Sequence, residues 1–158
     1  MNEELYKAPS SGFESNVDEN GSTFKGILYG SLVDIFGTLT IGIVIGIIYM
    51  GMLLSQGVSE SEAIKLVENM DPLSIFDIVG GLFGLLVSFY SGYLCAKKSI
   101  INVNRNTIIL FSITGSLGFL MGFGHYPLLQ NILFTVLSIS ATFSGSKYWS
   151  VNNSHKRE

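Results

Sequence analysis

The chain has 158 residues, 47% of them hydrophobic and only 13% charged, with a formal net charge of −3 and a mean hydropathy of +0.45. No basic block offers a footprint for nucleic acid, and a single cysteine excludes an internal disulfide. Four long apolar stretches occupy nearly everything between Phe24 and Tyr148, which makes the lipid bilayer the expected solvent of this chain.

Residues 1–23 are rich in Ser, Asn, Glu and Gly with no apolar run, and predict a disordered cytoplasmic tail. They lack the short apolar core and cleavage site of a signal peptide, so the first apolar segment serves as an uncleaved anchor. That segment covers 24–54 and is uncharged from Ile35 to Leu54. In the following loop, Ser59 and Glu62 have capping-box spacing. Ala63, Ile64 and Val67 give an apolar face, so a short amphipathic helix is expected from Glu60 to Asn69. Asp71 and Pro72 read as N-cap and first position of the next helix, which covers 73–96. Two further apolar segments follow at 107–124 and 128–146, the last opened by Pro127, and 149–158 form a short polar cytoplasmic tail. At 1.5 Å per residue, about 20 apolar residues match a hydrocarbon core of about 30 Å. The expected fold is all-α: a four-helix transmembrane bundle spanning 24–148.

Orientation follows from the basic residues. Lys7, Lys25, Lys97, Lys98, Arg105, Lys147, Lys156 and Arg157 are eight of the nine, and four crossings place them all on one side, with Lys65 alone on the other. The positive-inside rule makes both termini cytoplasmic. Tyr29, Tyr49, Tyr93, Tyr126, Tyr148 and Trp149 fall near helix ends, as rings at a headgroup boundary do. The lone cysteine, short loops and Ile/Asn-rich composition point to a bacterial inner membrane.

Small residues mark the expected helix contacts. Gly80, Gly84, Ser88 and Gly92 recur every fourth residue. Gly26 and Gly30, then Gly42 and Gly46, lie on the first helix, and Gly118 and Gly122 on the third. In lipid such residues let backbones approach closely, either within one chain or between chains of a homo-oligomer or membrane-protein complex.

Two carboxylates fall inside or beside apolar segments. An ionisable group within the hydrocarbon costs roughly 2.5 to 3.5 kcal/mol on insertion scales, which makes Asp34 and Asp77 candidates for a functional site. The competing reading puts each at its helix's entry end, near water and favourably placed against the helix dipole. On the outer side Asp77, His125, Tyr126, Gln130 and Asn131 lie near helix ends, and converging helices would gather them into a polar vestibule in which His125 pairs with Asp77. No zinc-ligand spacing, P-loop, nucleophile elbow or pair of haem-ligating histidines is found, so neither catalysis nor a cofactor is expected.

The size and four-helix plan resemble those of small multidrug transporters, whose first helix carries an essential carboxylate. Here Asp34 stands where that family has Glu, the membrane segments lack tryptophan, and the one-sided charge disfavours dual topology, so no residue role is carried over. The sequence favours a noncatalytic assembly, accessory or regulatory membrane component acting through helix packing. The alternative is a proton- or cation-coupled transporter or channel using Asp34 or Asp77.

Overall fold

A computed structural model describes residues 23–71, 74–99, 102–124 and 126–153. The amino-terminal tail through residue 22, Pro72, His125 and residues 154–158 lie outside them. The described chain is helical: α1 (Thr23–Ser55), α2 (Glu60–Glu68), α3 (Ile75–Lys98), α4 (Val103–Gly122) and α5 (Leu128–Asn152). An isolated bridge between Phe123 and Tyr126 closes the turn from α4 to α5.

Three of these helices, α1, α3 and α5, are long and apolar enough to cross a membrane. The fourth long helix, α4, has 20 residues. Its first turn carries Asn104, Arg105 and Asn106, and these dilute the apolar run that follows. α5 is rich in Ser and Thr, and several of its hydroxyls bond inside the helix. Thr135, Ser140, Thr142, Ser144 and Ser150 each donate to the carbonyl four residues earlier, at 2.7 to 3.0 Å.

Helix starts differ from the expectation in one place. α3 is capped by Ser74 rather than Asp71, because the Ser74 hydroxyl accepts the otherwise unpaired amide of Asp77 at 3.1 Å. Ser59 holds the N-cap position of α2 but makes no side-chain cap bond; its hydroxyl lies 3.5 Å from that of Ser61. Pro127 directly precedes α5, whose end lies beyond Ser146 at Asn152.

α3 is the hub. It packs most extensively against α5 and α1, while α4 joins α1 to α5 on the other side and α1 and α5 do not meet among the described residues. α1 runs antiparallel to α3, since Gly26 faces Cys95 and Ser99 at one end and Tyr49 stacks on Phe76 at 4.8 Å at the other. α3 and α5 run parallel: Gly81 faces Phe134 near both starts, and Gly92 faces Thr142 near both ends.

Burial is inverted relative to a water-soluble domain. Among the described residues the buried polar side chains include Asp34, Ser88, Ser91, Ser99, Asn106, Thr107, Thr114, Thr142 and Ser146, against Leu53, Ala63, Cys95, Ala96 and Leu110 among the apolar ones. Large apolar residues such as Ile47 and Leu120 face outward, 64% and 69% exposed. Small polar groups inside and aliphatic ones outside suit a lipid solvent, where exposed apolar area costs little and close packing drives association. Most of the buried groups belong to the half of the bundle that ends in Lys25, Lys97, Lys98, Arg105 and Lys147.

Candidate polar sites at the two ends of the bundle

Asp34 lies about three turns inside α1 and is buried. Ser88 donates its hydroxyl to the Asp34 carboxylate at 2.8 Å. Glycine brackets this bond and brings the helices close enough for a short aspartate to reach across. A Cβ added at Gly30 would meet Leu110 at 3.0 Å and the Ser91 carbonyl at 3.1 Å, and one at Gly37 would meet Val87 at 2.7 Å. α1 begins at Thr23, so Asp34 lies beyond the first turn, where the helix dipole acts most strongly.

Toward the basic end the polar seam continues. Asn106 donates to the Ser99 hydroxyl at 3.0 Å, tying the connection after α3 to α4, and the hydroxyls of Thr107 and Ser146 meet at 2.9 Å, tying α4 to α5. The hydroxyls of Ser31 and Ser91 are buried without a partner. Cys95, one turn after Ser91 on α3, is buried as a free thiol.

At the opposite end Asp77 sits in the first turn of α3. Tyr126 donates its phenol to one Asp77 oxygen at 2.8 Å, and the other oxygen is buried without a partner. The Tyr126 phenol is pushed up to about 12, first by burial and then by its hydrogen bond to Asp77 and that residue's charge. Its ring meets Phe134 edge-on at 5.8 Å, which fixes the turn over the start of α5.

The expected vestibule is divided between two contacts. Asp77 meets Tyr126, whereas Asn131 is buried against α4, donating to the Phe119 carbonyl at 3.1 Å. Gln130 is half-buried on α5, and His125 lies outside the described residues. The sequence groups Tyr126 with Asp77 in one vestibule but gives the pairing to His125; the structure gives it to Tyr126.

Of the residues expected at helix contacts, Gly26, Gly30, Ser88, Gly92 and Gly122 are buried. A Cβ at Gly92 would run into the Thr142 carbonyl, and one at Gly122 would lie 2.7 Å from the Asn131 side chain. Gly80 and Gly46 have only loose neighbours, Ile45 at 3.8 Å and Val67 at 3.9 Å, and Gly42, Gly84 and Gly118 have none within 4 Å. A stripe at every fourth residue drifts about 40° per step around a straight helix, so it does not stay in one contact. The closest approach on α5 is at Gly145, against the Phe89 carbonyl; the Ser-Gly-Ser run around it was the available signal. No family model, curated protein or solved structure matches this chain.

Proposed function

We propose that this chain is a four-span protein of the bacterial inner membrane with both termini in the cytoplasm. In this reading it is a noncatalytic assembly, accessory or regulatory component whose architecture depends on glycine-mediated helix packing. Parallel α3 and α5 support the fourth crossing, since a chain leaving α3 on the cytoplasmic side must return through the membrane before α5 can repeat its direction. α4 is tied to α5 by Thr107 and Ser146 at one end and by Asn131 and Phe119 at the other, so it reaches the same two levels.

The observation that carries the noncatalytic reading is the closed seam at the basic half. Asp34 is bonded to Ser88 where α1 and α3 approach through Gly30 and Gly37, and Gly92 and Gly145 bring α3 and α5 into backbone contact. This close packing supports a carboxylate that fastens helices rather than one that lines an aqueous path. The test combines flux and assembly. Proteoliposomes should show no flux of cations or cationic drugs, and the tagged chain should copurify one membrane protein in fixed ratio, with Asp34→Asn retaining that partner. A pH-dependent flux abolished by Asp34→Asn overturns it.

That outcome would establish the second reading, a proton- or cation-coupled transporter. It is favoured by one observation: a carboxylate buried about three turns inside a span is a functional candidate by default.

A further inference from the structure

Four oxygen-bearing side chains gather where α1 and α3 cross. Asp34 is buried, and among the described residues Ser88 is its hydrogen-bond partner, with no ammonium or guanidinium paired to the carboxylate. Ser91 follows Ser88 by three residues on α3 and Ser31 precedes Asp34 by three on α1, the spacing at which helical side chains are neighbours. Because the two helices run antiparallel, both serines lie on the same side of the bond between Asp34 and Ser88, toward the basic end. The Ser91 carbonyl stands 3.1 Å from where a Cβ at Gly30 would sit, so Ser91 meets α1 at the level of Ser31.

The hydroxyls of Ser31 and Ser91 are both buried without a partner, and Ser91 as a whole is fully buried. An orphan hydroxyl is a cost to the fold, and an unpaired carboxylate in hydrocarbon is a larger one. The two costs have a common remedy. Ser88 gives its one proton to Asp34, which leaves its lone pairs free, and Ser31 and Ser91 offer theirs as well.

We propose that a sodium ion occupies this crossing, held by the Asp34 carboxylate and the hydroxyls of Ser31, Ser88 and Ser91. The inference goes beyond helix fastening by a hydrogen bond, and it rests on the reading of the chain as a membrane-spanning bundle whose low-dielectric surroundings favour a neutral site. Charge sets the valence: one carboxylate is neutralised by one positive charge, whereas a divalent ion would leave an excess charge in the hydrocarbon. Donor type sets the class, since an all-oxygen set suits a hard cation and not a thiophilic one. Reach sets the size. Oxygens around calcium, whose radius sodium nearly shares, stand about 2.3 to 2.6 Å from the ion, so two of them are up to about 5 Å apart. Three residues advance a helix by about 4.5 Å, and one such ion therefore spans the two levels. Potassium needs longer bonds and a wider opening than a crossing closed at Gly30 and Gly37 leaves. The ion is resident and neutralising, in agreement with the absence of flux proposed above.

The full chain in detergent is unfolded thermally in N-methylglucamine chloride and in sodium chloride at equal ionic strength, and binding of radiolabelled sodium is measured alongside. Sodium should raise the midpoint saturably by about 3 °C, and potassium or calcium at the same ionic strength should not. The labelled ion should bind at one per chain. Asp34→Asn should lose both the shift and the binding, whereas Asp77→Asn should keep both. Ser91→Ala separates the site from simple packing: removal of an unpartnered hydroxyl should be neutral or stabilising in N-methylglucamine, yet weaken sodium binding about fivefold. Equal midpoints in sodium and N-methylglucamine with no bound label overturn the site, as does a response kept in Asp34→Asn or lost equally in Asp77→Asn. Stability that ignores sodium and rises as pH falls would make a proton the neutralising ion, and potassium acting as well as sodium would reduce the response to general screening; either overturns the proposal. A chain that stays dispersed in water without detergent is a different failure, that of the membrane reading itself.

Discussion

The Ser88 hydroxyl reaches the Asp34 carboxylate at 2.8 Å across the crossing of α1 and α3, joining residues far apart in sequence inside a seam of small side chains. Ser88→Ala removes the donor and leaves the carboxylate buried, so it should cost about 1 to 3 kcal/mol. Asp34→Asn keeps an acceptor for Ser88 and removes the buried charge, and should change stability by less than about 1 kcal/mol or raise it. Thermal unfolding in detergent ranks the two; a more damaging Asp34→Asn would assign the stability to the charge itself.

Glycine substitutions should separate tight contacts from open ones. Gly92→Ala and Gly145→Ala place a methyl group against the carbonyls of Thr142 and Phe89, and should cost about 1 to 3 kcal/mol or more as α3 and α5 are forced apart. Gly84→Ala meets nothing within 4 Å and should be neutral, or stabilising by up to about 1 kcal/mol through helix propensity. Folded yield by size-exclusion chromatography reads the difference, and equal sensitivity at all three positions would contradict the assignment of contacts.

Tyr126→Phe should loosen the α4 to α5 turn by about 1.5 to 3 kcal/mol, since it removes a hydrogen bond to a carboxylate whose other oxygen is already unpartnered. The pH dependence has a definite sign. The folded phenol titrates at about 12, above the ordinary tyrosine value of about 10. The folded state therefore holds its proton longer than the unfolded state, and stability present below about pH 10 is lost as pH rises toward 12. Denaturant titrations at increasing alkaline pH should show this loss in the parent chain and a smaller one in Tyr126→Phe.

Much of the helical layout was legible because lipid leaves the backbone few options. Apolar runs of about 20 residues specify helices directly, and the observed ends of α1 differ from the expected ones by a residue. The start of α3 was misread because Asp-Pro is a strong cap signal locally, while Ser74 supplies the better-placed oxygen once Asp77 is helical. The sites were less legible. Periodicity places Ser88 and Gly92 on one face, but it cannot show that Gly84 on the same stripe faces open space, because that depends on where the neighbouring helix passes. The meeting of Tyr126 with Asp77 depends on the α4 to α5 turn folding over α3, and no local pattern encodes it. Gly145 was missed because a single glycine carries no periodicity.

The central claim is a four-span bundle with both ends on the cytoplasmic side, and the most direct test is the accessibility of two engineered cysteines in a Cys95→Ser background. One replaces Gln56, exposed beside Gly57 in the loop after α1, and the other replaces Asn153 at the end of α5. In intact cells a membrane-impermeant maleimide should label the cysteine at position 56 and reach that at position 153 only after permeabilisation. Labelling of both from outside would place the two sites on one side of the membrane and contradict the fourth crossing.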